Sequence, residues 1–234
     1  MPTIEVCLSP ELIGGYDLKG KISVVVDVLR ATSCMAAGLG SGVDHIVPFK
    51  DAEECKAMKS QGYFTAGERN GQKIPGMDMG NSPFEYMAPE MKGQKVATTT
   101  TNGTKCIHLS ADADETITGS FLNISAVARF LIDQNKPVVI FCAGWKGKVN
   151  LEDSLFAGNL LDLLSAKFEP IDDSSVLMLA SYETHNTILA DLVARSEHAK
   201  RLAAFNIVND IEYCARKDEF DVVPIMKNGR LVKA

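Results

Sequence analysis

Short polar clusters interrupt otherwise apolar runs of this chain, and each carries groups able to handle an oxyanion. Asp27 ends the run VVVDVL, and Arg30 follows just before a helix expected to open near Thr32. A carboxylate in that place can hold a cation or act as a nucleophile, while a guanidinium grips an oxyanion through two parallel hydrogen bonds. The two can equally form a plain ion pair that holds the turn. A second cluster, GERNGQKIPGMDMGNSP at 67–83, interleaves glycines with Glu68, Arg69 and Asp78. Glycines leave room for backbone to approach a ligand, although the same charges also suit a solvated loop. Its close, Ser82-Pro83-Phe84-Glu85, has the form of a capping box with proline at the first helical position, so Ser82 reads as a cap rather than a ligand.

The third cluster is VATTTTNGTKC at 96–106. Alternation along a strand sends Thr98 and Thr100 to one face and Thr99 and Thr101 to the other. Threonine favours strands, so Thr98 to Thr100 can be structural alone. Thr101, Asn102 and Thr104 lie at the turn into a helix expected near Lys105, where hydroxyls and backbone N–H groups suit an anion; an ordinary capped turn is the alternative. In the fourth cluster, CAGWKGKVNLEDS, Asn150 reads as an N-cap with Glu152 and Asp153 in the first helical turn. Acids there favour the helix dipole whether or not they do chemistry. Cys142 is a lone thiol at a strand end, more often packed than reactive. His45, His108, His185 and His198 show no ligand spacing and read as surface or loop residues.

These clusters need a frame, and the hydrophobic pattern supplies one. Strands are expected at 3–8, 22–28, 44–49, 62–66, 94–100, 114–118 and 137–142. The runs SVVVDV and PVVIFC are apolar enough for strands covered on both faces. Amphipathic helices are expected at 32–39, 51–60, 125–134 and 152–167, with two more within 186–217. The end, VVPIMKNGRLVKA, reads as a hairpin turning at Asn228-Gly229. The fold class is therefore α/β, a three-layer α/β/α arrangement with a largely parallel or mixed sheet. One compact unit over residues 1–234 is expected, or two closely packed lobes with a division near 120–137. Residues 67–80 form the loosest stretch, and a long loop of that kind is commonly a binding loop.

Composition narrows the partners. The 234 residues are 46% hydrophobic and 23% charged, with a formal net charge of −6. That balance argues against general affinity for nucleic acid or an anionic membrane surface, but leaves room for a locally basic pocket that takes a small anion. The N-terminal stretch has neither the basic nor the apolar region of a signal peptide, and no apolar run approaches the roughly 20 residues of a spanning helix. Six scattered cysteines without a CxxC pair read as free thiols in a reducing cytoplasm. A homo-oligomer is left open.

Taken in order, DVLRATS (27–33), GERNGQKIPGMDMGNSP (67–83), TTTNGT (99–104), CAGWKGKVNLEDSLFAG (142–158) and, more weakly, DIEYCARKDEFDVVP (210–224) resemble the 2-phosphosulfolactate phosphatase family. The resemblance implies an α/β/α layered fold and Mg²⁺-dependent hydrolysis of a small anionic phosphorylated substrate, 2-phospho-3-sulfolactate, to sulfolactate and phosphate, a step of coenzyme M biosynthesis. Its site would take Mg²⁺ on Asp27, with Glu68 and Asp153 as helpers. Arg30, Thr101, Asn102 and Thr104 would hold phosphate, and Arg69 would meet the sulfonate or carboxylate. The attacking group stays open, Asp27 itself or a water activated by Glu152. Two other readings remain: a cysteine hydrolase of the isochorismatase or nicotinamidase kind using Asp27, Lys95 and Cys142, and a non-catalytic anion-binding module.

Overall fold

Strands and helices alternate through the computed structural model, which describes residues 1–234. The first half carries β1 (Thr3–Cys7), β2 (Ile22–Val26), α1 (Ala31–Ser41), β3 (His45–Pro48), α2 (Ala52–Ala57), β4 (Phe64–Arg69), β5 (Gln72–Lys73), α3 (Pro83–Tyr86), β6 (Lys95–Thr99) and α4 (Gly103–Leu109). Next come β7 (Glu115–Gly119), α5 (Ile124–Gln134), β8 (Val138–Cys142), α6 (Leu151–Leu164) and β9 (Glu169–Pro170). The chain ends with α7 (Asp173–His185), α8 (Leu189–Arg195), α9 (Glu197–Ala203), α10 (Val208–Cys214), β10 (Pro224–Lys227) and β11 (Arg230–Lys233).

Every expected strand forms. β2 and β8 are buried at all positions, as central parallel strands covered on both faces must be. The hairpin also forms, with Asn228 and Gly229 both at positive φ, the requirement of a tight two-residue turn. The helix expected over 51–60 is shorter, because α2 passes at Ala57 into a 3₁₀ turn that ends before Gly62. The two helices expected within 186–217 are three, α8 to α10, and α7 precedes them unforeseen. Val176 and Leu177 of α7 are exposed, so its apolar residues make no single stripe for a periodicity to report. It packs on α6 by close approach instead: a Cβ at Gly158 would lie 2.7 Å from Tyr182 Cβ and overlap the Met178 carbonyl.

The single sheet has the order β5-β4-β6-β3-β11-β10-β7-β2-β8-β1-β9. It contains two parallel blocks, β4-β6-β3 and β7-β2-β8-β1-β9, joined by the antiparallel hairpin β10–β11. Antiparallel steps at β7/β10, β10/β11 and β11/β3 leave the blocks running in opposite directions. The loops after β2, β6 and β8 and the end of β4 nevertheless touch one another, although they belong to different blocks. Side chains alternate between two cores. Val24, Val26 and Ile140 face α5 to α10, while Val25, Val139 and Phe141 face α1 and α4. That is the three-layer architecture the alternation implied.

Candidate active site

Asp27 is the first residue beyond β2. Its backbone is fixed from both sides: its N–H donates to Thr32 Oγ1 at 3.0 Å, and its carbonyl accepts from Thr32 N at 3.0 Å. One carboxylate oxygen, Oδ1, accepts from Ala31 N at 3.3 Å. The other lies against the β6–α4 turn, where a Cβ on Gly103 would come within 2.9 Å of it and 2.5 Å of Ala31 Cβ. Glycine at 103 is what allows the two loops to touch. Asp27 is buried and has no basic partner within ion-pair distance. Burial pushes its carboxyl up to about 6; His198 pulls the other way, and Glu68 and Glu152 push further up.

Arg30 does not pair with Asp27. Its guanidinium, 5% exposed, makes an ion pair with Asp210 on α10 and donates to the Gly71 carbonyl at 3.1 Å. Asp210 is held in turn by the Ser82 hydroxyl at 2.9 Å. Ser82 stands at the helix start foreseen for it, in the expected capping box with Glu85, which accepts from its N–H at 3.4 Å, and its hydroxyl also donates to Asp210. A buried guanidinium set in a plane by a carboxylate and a carbonyl still presents its remaining N–H groups to a ligand.

The threonine turn has a different use from the one expected. Thr101 gives its N–H at 2.8 Å and its hydroxyl at 2.9 Å to Glu68 Oε1, while Glu68 Oε2 accepts from Gly71 N at 2.8 Å. Glu68 therefore ties β4 to the β6–α4 loop. Thr104 donates its hydroxyl to the Thr100 carbonyl at 3.0 Å, and its N–H to Thr100 Oγ1 at 3.1 Å, closing the turn on itself. Asn102 reaches the Gly144 carbonyl at 2.7 Å and binds the turn to the β8–α6 loop. Arg69 donates to its neighbour's carbonyl at 2.8 Å and to Thr99 Oγ1 at 3.2 Å.

Glu152 and Asp153 sit in the first turn of α6, both almost wholly buried. Asp153 accepts from Val28 N at 2.9 Å and Gly144 N at 3.2 Å, and so clamps the β2–α1 loop to the β8–α6 loop. Burial, with Glu152 and Asp27 adding to it, holds its carboxyl well above the usual range. Glu152 Oε1 meets His198 Nδ1 of α9 at 3.2 Å, while its Oε2 is buried with no partner. His198, read from sequence as a surface residue, is thus a site residue with a side chain only 16% exposed. Only its position one helical turn before Leu202, which is buried, hinted that this face of α9 turns inward.

Asp27, Arg30, Glu68, Thr101, Asn102 and His198 converge on one small pocket of about 20 Å³, room for about one water. Arg69 and Thr104 line a separate pocket of about 400 Å³ beyond Thr101, with Lys50 and Lys105. The expected metal triad does not assemble, since no three Asp, Glu, His or Cys side chains are arranged to hold an ion. Both oxygens of Glu68 and Asp153 serve backbone N–H groups, as described. The carboxylate oxygens with no hydrogen bond of their own, and so the freest to meet a cation, are Asp27 Oδ2 and the orphaned Glu152 Oε2. Oxygen donors of this kind, one or two carboxylates completed by water and substrate, fit Mg²⁺.

The cysteine-hydrolase triad is excluded by placement. Lys95 starts β6, donates to the Gln61 carbonyl and lies over the Tyr63 ring, whereas Asp27 follows the far end of β2. Cys142 is fully buried, and burial holds its thiol well above its ordinary value; the nucleophilic form of cysteine is the thiolate.

The 2-phosphosulpholactate phosphatase family model matches residues 7–229. The chain belongs to that family. A relative from Caldanaerobacter subterraneus subsp. tengcongensis, named "Probable 2-phosphosulfolactate phosphatase", is 40% identical over 223 residues, which cover 93% of this chain and 92% of its own. Relatives of the same name from Thermotoga maritima and Clostridium acetobutylicum are 38% and 34% identical, covering 89% and 98% of this chain and 90% and 99% of theirs. For this member of the 2-phosphosulpholactate phosphatase family, the match spans all four loops that build the cavity.

Proposed function

We propose that the chain is a Mg²⁺-dependent phosphatase that releases phosphate from 2-phospho-3-sulfolactate. The observation that carries this reading is the convergence of Asp27 and Arg30 after β2, Glu68 near the end of β4 and the Thr101–Asn102 turn after β6, from two sheet blocks, on one small pocket. Phosphate-monoester hydrolysis needs up to about 10²¹-fold acceleration, which hydrogen bonds of about 1.5–3 kcal/mol each do not reach alone. Asp27 and Glu152 would hold Mg²⁺, which would neutralise charge at the phosphoryl oxygens. Arg30, held by Asp210 and Gly71, faces those oxygens with its free N–H groups. His198, oriented by the positioning residue Glu152, delivers a proton to the leaving oxygen. Glu68 and Asp153 keep the loops in register.

No helix is long and apolar enough to cross a membrane. All six cysteines are free and buried, which supports a reducing cytosolic setting. The test is a phosphate-release screen over phosphorylated 2-hydroxy acids, with and without Mg²⁺. Release from phosphosulfolactate that a chelator stops and Mg²⁺ restores is the expected result. Release from none of them would return the chain to the status of an anion-binding module.

A further inference from the structure

A cavity with room for about one water does not hold a three-carbon substrate that carries three acid groups. Most of that molecule must lie in a hollow that opens from it. Three hollows share walls with it, but the one lined by Lys50, Arg69 and Lys105 touches it only through Thr101. The other two each share at least three lining residues with it. One, of about 750 Å³, continues past Arg30, but its charged lining is balanced, Arg30 and Lys73 against Glu85 and Asp210. The other, of about 350 Å³, shares Gly71, Trp145, His198 and Leu202 with the Asp27 cavity and is lined by Lys146 and Arg201 with no acid at all.

Two features of this second hollow are unexplained by folding. Arg201 Nη2 is buried without a hydrogen-bond partner, and the guanidinium lies 4.6 Å from the centre of the Trp145 ring. A guanidinium stacked on an indole, with donors unspent, is prepared for a planar or tetrahedral oxyanion. Lys146 occupies the apex of a tight turn closed by Trp145 and Lys148, at φ +50°, followed by Gly147 at φ +75°. Asn, Asp or Gly are the residues that take that first position at little cost. A lysine held there, its Nζ 5.3 Å from the same ring, keeps a positive charge at the rim.

We infer that Arg201 and Lys146, organised by Trp145, form the subsite for the substrate's sulfonate, and that Arg201 sets the preference for phosphoesters carrying this second strong acid. The assignment rests on the phosphatase reading and moves to α9 and the Trp145 turn the role expected of Arg69. His198 then sits between the phosphate and the acid tail, its ring 6.1 Å from Trp145.

Two measurements test it. The first is the ratio of kcat/KM for 2-phospho-3-sulfolactate to that for 2-phospholactate, which lacks the sulfonate. Arg201→Met, which keeps the packed stem, should lower that ratio by about 10- to 150-fold, the worth of one or two charge-assisted hydrogen bonds. Arg201→Lys should recover part of it. The second needs no turnover. Trp145 is the only tryptophan, so its emission reports the subsite when 3-sulfolactate is titrated into the full chain, with lactate as the comparator. A saturable change with sulfolactate, absent with lactate and weakened in Arg201→Met, supports the subsite even if no phosphate is ever released. Phosphate release with an unchanged ratio in Arg201→Met, or emission indifferent to sulfolactate, overturns the subsite and leaves the phosphatase reading standing.

Discussion

Asp27 is destabilising as well as useful. A buried carboxyl raised to about 6, with no basic partner, is held by the fold against its preference. Between the ordinary value of 3.8 and about 6 the folded chain holds more protons than the unfolded one, so stability falls as pH rises across that window when no cation is present. Asp27→Asn should abolish phosphate release, by at least about 10³-fold. It should also raise the metal-free melting temperature at pH 7.5 by about 4 °C or more, because on the order of 2–3 kcal/mol of buried charge is removed, and it should flatten the pH 4–6 slope. An unchanged melting temperature would mean that the charge is already compensated. Asp27 was legible in sequence as a carboxylate closing an apolar strand, although an ion pair with Arg30, which the structure does not form, was an equal reading. His198 was not legible, since its partner Glu152 is 46 residues away along the chain and they meet only where α9 reaches the first turn of α6. Nor was the fate of Arg30 legible, because its partner Asp210 lies 180 residues on.

Loops rather than strands decide the site. Asp153 was expected as a metal helper and instead receives two backbone N–H groups from two different loops. The alternatives predict different experiments. Loss of a clamp leaves Val28 N and Gly144 N buried without acceptors, at about 1–3 kcal/mol each, so Asp153→Ala should lower the melting temperature by about 5–15 °C. Mg²⁺ affinity in the fraction that stays folded should be nearly unchanged. A variant of wild-type stability that needs far more Mg²⁺ would restore Asp153 to the metal. Gly103→Ala should be severe for a neighbouring reason. Its Cβ would enter within 2.5 Å of Ala31 Cβ and 2.9 Å of Asp27 Oδ2, pushing the β6–α4 turn off the carboxylate. We expect at least about 100-fold loss of turnover with the far-ultraviolet circular dichroism preserved; full activity would show that the turn need not touch Asp27. The sequence pointed to a binding turn at Thr101–Thr104 because hydroxyls beside Asn-Gly suggest anions. It could not reveal that those hydroxyls are spent on Glu68 and Thr100.

At the scale of the molecule, the site is built by two parallel blocks that share no parallel pairing. Asp27 and Arg30 follow a strand of one block; Glu68 lies near the end of β4 in the other, and Thr101 follows its β6. The hairpin β10–β11 is the only sheet connection between them, pairing Ile225 with Ile117 and Leu231 with Ile46. Its side chains enter both cores, Ile225 on the α5–α10 face and Leu231 on the α1–α4 face. The hairpin was plain in sequence from Asn228-Gly229 between apolar runs, but its insertion in mid-sheet was not, because edge and central placement differ only in which distant strands arrive beside it. A chain ending at Val223 would leave β3 and β7 with unpaired inner edges and both cores open. We expect it to lose cooperative melting and phosphate release together. Leu231→Ala, which keeps the ladder but empties a fully buried position, should cost about 2–5 kcal/mol and lower the melting temperature by about 5–15 °C. Below its melting point that variant should turn over normally, since the cavity is untouched. Cooperative melting at the wild-type temperature by the chain ending at Val223 would show that the helical layers alone hold the two halves of the site together.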